Sequence, residues 1–119
     1  MKKPDEERIK KIISIWSEVL EQVDERQITR EKLLADPFLQ WAMTTPLYNI
    51  GEQVYQISPE FKRKYPDVPW NKISGLRHRL VHDYEGTNWV IIADVLFGEM
   101  DLAVQSMKAI IQKPDTGKI

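Results

Sequence analysis

Hydrophobic positions recur every three or four residues through most of the chain, and this spacing predicts amphipathic α-helices. In the first stretch, Pro4 and the acids that follow it are typical of a helix start, because proline suits the first turn and carboxylates complement the positive end of the helix dipole. The apolar positions behind this start are Ile9, Ile12, Ile13, Trp16, Leu20 and Val23. The pattern predicts a long first helix with one buried face.

The next apolar stretches are separated by residues that cap or open helices. Thr29 is predicted to cap a short helical turn, and Asp36 stands where it would cap a second long helix over 37–57. Pro46 lies inside that second helix, where proline removes one backbone hydrogen bond and clashes with the carbonyl four residues earlier. We therefore expect a bend near Ala42, or a helix in two pieces.

Prolines and turn residues divide the second half of the chain. A brief turn beginning at Ser58 leads into a proline-rich connector, and a third main helix is predicted over 70–84, followed by a turn. A fourth helix is expected from Trp89, with a break around Phe97 and Gly98, and a last one over 102–111. No segment alternates as a strand would.

This order of elements predicts the fold class. Four or five helices joined by short connections imply antiparallel neighbours, so we expect an all-α, antiparallel four- to five-helix bundle. Residues 1–112 would form a single domain, and the polar stretch 113–119 a flexible C-terminal tail. A chain of 119 residues can bury an adequate core without disulfides or a structural metal.

Composition and charge narrow the classes of function. The chain has no cysteine, which excludes a disulfide framework, a thiolate zinc site and a cysteine nucleophile, and predicts a cytoplasmic location. No stretch approaches the roughly 20 apolar residues that cross a bilayer, so no membrane association is expected. The net charge of −1 offers no general attraction for nucleic acid. Any RNA contact must come from a local cluster of cations.

Both histidines of the chain lie in one nine-residue string, LRHRLVHDY, over 76–84. Histidine titrates near neutral pH and can exchange protons with a ribose 2′-hydroxyl or a leaving oxygen, while arginine holds a phosphate with a planar fork of donors. Arg77 and His82 would together suit metal-free phosphodiester cleavage. The alternative is structural: Arg77 and Arg79 pair with acids on neighbouring helices, and His82 hydrogen-bonds a helix end.

The spacing of Arg77 and His82 constrains any shared site. Five residues rotate by roughly 500° in a regular helix, which leaves the two positions about 140° apart around the axis. A regular helix would not aim both side chains at one phosphate. Either the helix unwinds near His82, or a partner chain completes the site.

Beyond this local chemistry, the chain resembles a known family along nearly its whole length. The motif is Pro69-Trp70, Ile73, Gly75-Leu76-Arg77, then four residues, His82, one residue and Tyr84. Ile50-Gly51-Glu52, the turn over 65–70 and the exit over 82–86 extend the match. In these residues the chain is similar to HepT-like HEPN proteins.

The resemblance implies both a fold and a function. It implies a HEPN-like bundle that forms a homodimer, with Arg77 and His82 of both protomers lining one cleft. The implied activity is an endoribonuclease toxin that leaves 2′,3′-cyclic phosphate ends without a metal or another cofactor. Its implied partner is a minimal nucleotidyltransferase antitoxin of the MNT type, which attaches AMP to the motif tyrosine and silences the site. Tyr84 stands at that position.

Further residues around the motif are candidates for supporting roles. Glu52 is either a buried acid that orients Arg77 or a helix-surface residue, and the resemblance favours the first. His78, Arg79 and Asp83 are possible supporting residues. His78 replaces the asparagine or other polar residue more usual in the family, and is either a helper in proton transfer or a solvated residue.

The sequence also departs from the family around the motif. Thr44, Thr45 and Pro46 stand where relatives usually carry basic residues in a continuous helix. Thr87 and Asn88 replace a position that is often acidic. A degenerate, inactive member is therefore an alternative to an active one.

Three weaker signals of function also have purely structural explanations. His78 and His82 are spaced like a helical metal pair, but no glutamate stands at the metalloprotease position and no third ligand is evident, so no metal site is predicted. The basic residues of 62–64, with Lys72, Arg77 and Arg79, form either a cationic rim for RNA or a solvated surface. The tryptophans are expected in the core or at a dimer contact.

Two other functions fit the same residues. One is a non-catalytic module that binds substrate or nucleotide for a separate nucleotidyltransferase. The other is an interaction protein in which the motif is a buried polar network at a dimer interface, so that Arg77→Ala would mainly destabilise. Growth arrest on expression, lost with His82→Ala, would distinguish the nuclease from both.

Overall fold

A computed structural model describes the backbone of residues 3–82 and 86–112, and the side chains of residues 3–80 and 86–112. The regular structure in this part of the chain is entirely helical, which confirms the predicted all-α fold. The elements are α1 (Lys3–Glu25), α2 (Arg30–Ala35), α3 (Pro37–Gln56), α4 (Pro59–Lys64), α5 (Trp70–His82), α6 (Trp89–Asp94), a π-helical segment (Val95–Glu99) and α7 (Met100–Gln112). The predicted helix end at Tyr84 and the tail over 113–119 lie outside the described residues.

Three helices begin at the capping residues that the sequence predicted. The Thr29 hydroxyl accepts a hydrogen bond from the Lys32 backbone N–H at 3.1 Å, and the Asp36 carboxylate accepts one from Phe38 at 2.9 Å. Ser58 opens α4 in the same way, by accepting from the backbone of Phe61 at 3.2 Å. Each cap satisfies a backbone donor that the first turn leaves without a partner.

The expectation of a helix in two pieces at Pro46 was wrong. Helix α3 runs unbroken from Pro37 to Gln56 with Pro46 inside it. The proline deletes only one backbone hydrogen bond. Met43, Leu47 and Ile50 lie in the core on either side of it. Their burial against α1 and α5 outweighs the local preference to break.

The predicted break at Phe97 and Gly98 was also wrong, because the chain there continues as a π-helical turn. The backbone N–H of Met100 donates to the carbonyl of Val95, five residues earlier. The wider turn accommodates one extra residue without ending the helix. Val95 and Met100 stay buried as a result, and Gly98 keeps a negative φ angle.

Helix α3 lies at the centre of the bundle, where it packs against α1 on one side and α5 on the other, while α7 covers α1 and α2 contacts α3 and α6. Trp16 and Trp70 are buried in this core, as predicted. Leu20, predicted on the buried stripe of α1, is 38% exposed, because its neighbour Val19 points inward instead. Trp41 lies outside the core of this chain, with 72% of its surface exposed.

One acid is built into the bundle. Asp5 is 4% exposed, and its two carboxylate oxygens accept hydrogen bonds from the backbone N–H of Ser58 at 2.9 Å and from the Ser58 hydroxyl at 2.7 Å. The predicted role of Asp5 was to complement the dipole of α1. It also ties the start of α1 to the start of α4.

Within the described residues, no helix is long and apolar enough to cross a membrane.

Candidate functional site

The candidate site begins where α3 crosses α5. A Cβ atom added to Gly51 would lie 2.7 Å from the backbone nitrogen of Arg77 and 3.2 Å from the carbonyl oxygen of Ile73. No side chain fits at that distance, so glycine allows the two backbones to touch. This contact aligns α3 with α5. Glu52 and Tyr55, which follow Gly51 by one and four residues, therefore lie beside Arg77.

Arg77 is held by two side chains of α3. Its Nε donates to the Glu52 carboxylate at 2.5 Å, and its guanidinium carbon lies 4.1 Å from the centre of the Tyr55 ring. The first contact is a charge-assisted hydrogen bond and the second a cation–π interaction. Arg77 and Glu52 are each about one-third exposed, so solvent reaches the pair. The arrangement fixes the guanidinium plane while leaving it accessible.

Glu52 is tuned by its neighbours. A hydrogen bond from the Gln56 amide, at 3.1 Å, is the largest cause that holds the pKa of Glu52 below its ordinary value, and burial opposes it. The hydrogen bond and charge of Arg77, and then the charge of Arg8, lower that pKa further. Glu52 is therefore a carboxylate at neutral pH. Glu52 thus bonds to Arg77, but about one-third of its side chain is exposed, so it is not the buried acid of the first alternative.

The other candidates on the described part of α5, His78 and Arg79, lie about 100° and 200° from Arg77 around the helix axis. His78 is exposed. Arg79 lines a groove of about 410 Å³ between α5 and the helical run from α6, together with Asp94 and Glu99. The structural alternative for the two arginines is thus realised in part, since Arg77 does pair with an acid of a neighbouring helix.

Helix α5 remains α-helical through His82. The backbone positions of Arg77 and His82 are therefore about 140° apart around its axis, as the spacing predicted. The side chain of His82, and Asp83 and Tyr84, lie outside the described residues. The sequence allowed two ways to complete the site: unwinding of the helix near His82, or a partner chain. The described backbone shows no unwinding of α5 before His82.

The basic residues of the predicted cationic rim lie in two adjoining grooves that share Lys72, one with Lys62 and Arg63 and the other with Arg79. Lys62, Arg63 and Lys72 line a groove of about 490 Å³ beside Trp70, whereas Arg77 stands against α3. Lys72 also pairs with Glu99 at 2.9 Å. Burial lowers the pKa of Lys62, and the charge of Asp5 partly opposes that shift. Arg77 itself is held by side chains of α3 and not by the residues of these grooves.

Two side chains at this site were missed by sequence reasoning. Tyr55 stacks on Arg77, and Arg8 of α1 donates to Gln53 at 3.3 Å beside Glu52. Tyr55 follows Glu52 by three residues, a spacing that places both on one helix face, so the pattern contained a signal for it. Arg8 comes from a distant part of the chain, and no sequence pattern indicated that it lies at this site. Among the described residues, no group of three or more acidic, histidine or cysteine side chains could hold a metal ion.

Comparison with known proteins identifies the family. The family described as "Ribonuclease HepT-like" matches residues 7–112. The chain is 37% identical to "Putative RNase TTE0752" of Caldanaerobacter subterraneus subsp. tengcongensis, over 72% of this chain and 77% of that protein. It is 34% identical to "Putative RNase MJ0127" of Methanocaldococcus jannaschii, over 71% and 70% of the two chains.

A third relative carries the family's name. The chain is 35% identical to "Probable ribonuclease HepT" of Thermococcus cleftensis, over 60% of this chain and 67% of that protein. No solved structure gives a significant match. The matched residues include α3, α5 and the contact between Gly51 and Arg77 described above. The chain therefore belongs to the ribonuclease HepT-like family, and the resemblance noted in its sequence is confirmed.

Proposed function

We propose that this protein is the toxin of a toxin–antitoxin pair and acts as a metal-independent endoribonuclease. Arg77 would bind the scissile phosphate, and His82 would exchange protons with the 2′-hydroxyl or the leaving oxygen. The products would carry 2′,3′-cyclic phosphate ends, because the 2′-oxygen of the substrate is the nucleophile. His78, Arg79 and Asp83 would have at most supporting roles.

The observation that carries the proposal is the way α3 holds Arg77. Glu52 and Tyr55 fix the guanidinium on two sides, yet about one-third of the Arg77 side chain remains exposed. A cation that served only the core would be more deeply covered. Preorganised donors of this kind stabilise charge that develops on a phosphate in the transition state.

We further propose that the site is shared between two protomers. Arg77 and His82 lie about 140° apart on α5, so a second copy must supply part of the constellation for one phosphate. In a two-fold dimer, each copy would contribute an arginine and a histidine, enough for one general base and one general acid.

The exposed face of α3 suits such a dimer. Glu52 is the one charged residue among the twenty of this helix, and it is paired with Arg77. Phe38 and Trp41 are 70% and 72% exposed, and Phe38 lines a groove of about 480 Å³ between α1 and α3 whose charged residues, Glu18 and Arg26, come from α1 and the turn that follows it, not from α3. An isologous interface brings identical patches together, and an uncharged patch avoids like-charge repulsion there. RNA binding would require cations on this face instead.

The partner in the cell would be a minimal nucleotidyltransferase of the MNT type. It would transfer AMP from ATP to the hydroxyl of Tyr84, two residues after His82, with release of pyrophosphate, and the added phosphate would compete with RNA for Arg77. This part of the proposal rests on the family resemblance of the motif. Mass spectrometry of the protein co-expressed with such a partner tests it: an added AMP should map to Tyr84 and be absent from Tyr84→Phe.

The first experiment is RNA cleavage by the purified protein in EDTA, beside His82→Ala of matched fold and oligomeric state. Cleavage that is lost in the variant and leaves cyclic phosphate ends is the expected result. Absence of cleavage by unmodified dimer would overturn the nuclease and favour the non-catalytic partner of a nucleotidyltransferase. Forced heterodimers of wild-type with His82→Ala chains then test sharing, since full activity in them would exclude a joint site.

A further inference from the structure

The ring of Tyr55 has so far been given one role, contact with the guanidinium of Arg77. The Arg77 guanidinium carbon lies 4.1 Å from its centroid, within the range of a cation–π contact. More than half of the residue, 54%, is nevertheless exposed. Orienting an arginine does not require a ring this open to solvent, because contact on one face is sufficient.

We propose that Tyr55 is a stacking site for a nucleobase of the RNA, next to the phosphate that Arg77 binds. The inference rests on the proposed function, since it takes RNA as the ligand. A base and its own phosphate are joined through one ribose, so a phosphate held by Arg77 keeps the attached base within reach of a ring that touches Arg77. Every base has a π-face, so such a site accepts bases with little sequence preference.

The charge around Tyr55 fits this ligand. Arg77 bonds to Glu52, and Arg8 bonds to the neighbouring Gln53 at 3.3 Å, so the three ionised side chains carry a net charge of +1 on this part of α3. The exposed aromatic residues at the other end of α3 have no such neighbours on their helix. Trp41 is fourteen residues earlier, or about 21 Å along the axis, in a stretch of α3 without charge. The two ends of one helix therefore suit different partners: protein at Trp41 and nucleic acid at Tyr55.

The test compares two probes that 2′-hydroxyl attack cannot cleave. One is a fluorescein-labelled 2′-O-methyl RNA nonamer, and the other is the same backbone with abasic residues throughout. Wild-type protein should bind the nonamer about tenfold more tightly than the abasic backbone. Tyr55→Leu should lose this preference, because its affinity for the nonamer should fall about tenfold more than its affinity for the abasic backbone. Tyr55→Phe keeps the ring and should behave as wild-type.

Fold and oligomeric state of each variant are matched by thermal unfolding and sedimentation. Phe97→Leu, which removes a 40% exposed ring from the π-helical segment, is the control for loss of an exposed aromatic side chain. Equal loss of affinity for both probes in Tyr55→Leu would mean that Tyr55 only positions Arg77, and would overturn the stacking site. Equal affinity of the wild-type protein for the nonamer and the abasic backbone would by itself overturn the stacking site.

The outcomes separate this inference from the proposed nuclease. If wild-type cleaves RNA while Tyr55→Leu binds the nonamer unchanged, the stacking site is wrong and the nuclease stands. If wild-type neither binds the nonamer nor cleaves RNA, both fail together. If it binds with the expected preference for bases but cleaves nothing, the stacking site stands and the nuclease fails.

Discussion

Gly51 touches the backbone of Arg77, and this contact determines what surrounds the arginine. A Cβ atom at position 51 would lie 2.7 Å from the Arg77 nitrogen, so helices α3 and α5 meet too closely for any side chain at that position. Glu52 and Tyr55 reach Arg77 because of that approach. The structure of the site thus depends on a residue that has no side chain.

Gly51→Ala should therefore force the two helices apart. We expect a loss of about 1–3 kcal/mol in the free energy of unfolding, as for overpacked cores, and a lower RNase activity in the protein that still folds. Urea denaturation measures the first effect. Gly75→Ala on α5 is the matched control, since a Cβ there meets nothing within 4 Å, and it should stabilise by about 0.5–1 kcal/mol. Equal effects of the two substitutions would contradict the close contact.

Glu52→Gln tests the orientation of Arg77 directly. Glutamine keeps the shape of the side chain and removes the charge, so we expect kcat to fall roughly tenfold or more through misplacement of the guanidinium. The stability should change by at most about 1 kcal/mol at pH 7, because the pair is partly exposed. Glu21→Gln, an exposed acid on α1, is the control. Unchanged kcat and stability would remove the role given to Glu52.

The same pair predicts a pH dependence. The hydrogen bond from Gln56, followed by Arg77, lowers the pKa of Glu52 from 4.5 in the folded protein. A depressed carboxyl pKa contributes stability that is present above the unfolded value and is lost as the pH falls through the folded value. The difference in unfolding free energy between wild-type and Glu52→Gln should thus be present at pH 7 and disappear well below pH 4.5. A difference that grows toward low pH would contradict this.

The sequence predicted the helices and their starts because these depend on local chemistry. Thr29, Asp36 and Ser58 cap helices as expected, since a capping side chain bonds to the backbone two or three residues away. The breaks expected at Pro46 and Gly98 did not occur. At both positions the burial of flanking residues in the bundle outweighs a local cost of one hydrogen bond or one flexible residue.

The candidate site was predicted only where its residues are close in sequence. The string around Arg77 was visible as a cluster of arginine and histidine. The partners of Arg77 come from α3, about 25 positions earlier, and the pairing with Glu52 was expected from the family resemblance. The spacing of Tyr55 from Glu52 was a signal that was not used, whereas the place of Arg8 depends on how α1 crosses α3, which no local pattern records. The bond between Asp5 and Ser58 was missed for the same reason.

That bond predicts a strong effect far from Arg77. Asp5→Ala would leave the backbone N–H and the hydroxyl of Ser58 without their buried acceptor, so we expect a loss of about 2–3 kcal/mol in stability. Glu6→Ala, which removes only an exposed ion pair with Lys10, should cost less than about 1 kcal/mol. Combining Asp5→Ala with Ser58→Ala in a double-mutant cycle should give a coupling energy above about 1 kcal/mol. Additive losses would contradict a direct interaction.

The proposed dimer leads to a prediction at Trp41, whose 72% exposure is difficult to explain in an isolated chain. Trp41→Ser should raise the dissociation constant of the dimer at least tenfold, because exposed tryptophans are frequent anchors of interfaces. Sedimentation equilibrium measures this, and thermal unfolding checks that the variant still folds. RNase activity should fall as the dimer dissociates and return at high protein concentration, because each active site in the proposed dimer requires two chains.

Leu102 on α7 provides the control for that experiment, since it is 73% exposed and equally apolar. Leu102→Ser should leave the dimer and its activity unchanged. If Leu102→Ser dissociates the dimer and Trp41→Ser does not, the interface lies on α7 rather than on α3. If Trp41→Ser yields a folded monomer with full activity at every concentration, one chain must bring Arg77 and His82 to the same phosphate. The separation of about 140° along α5 would then have to be overcome by a change of the helix itself.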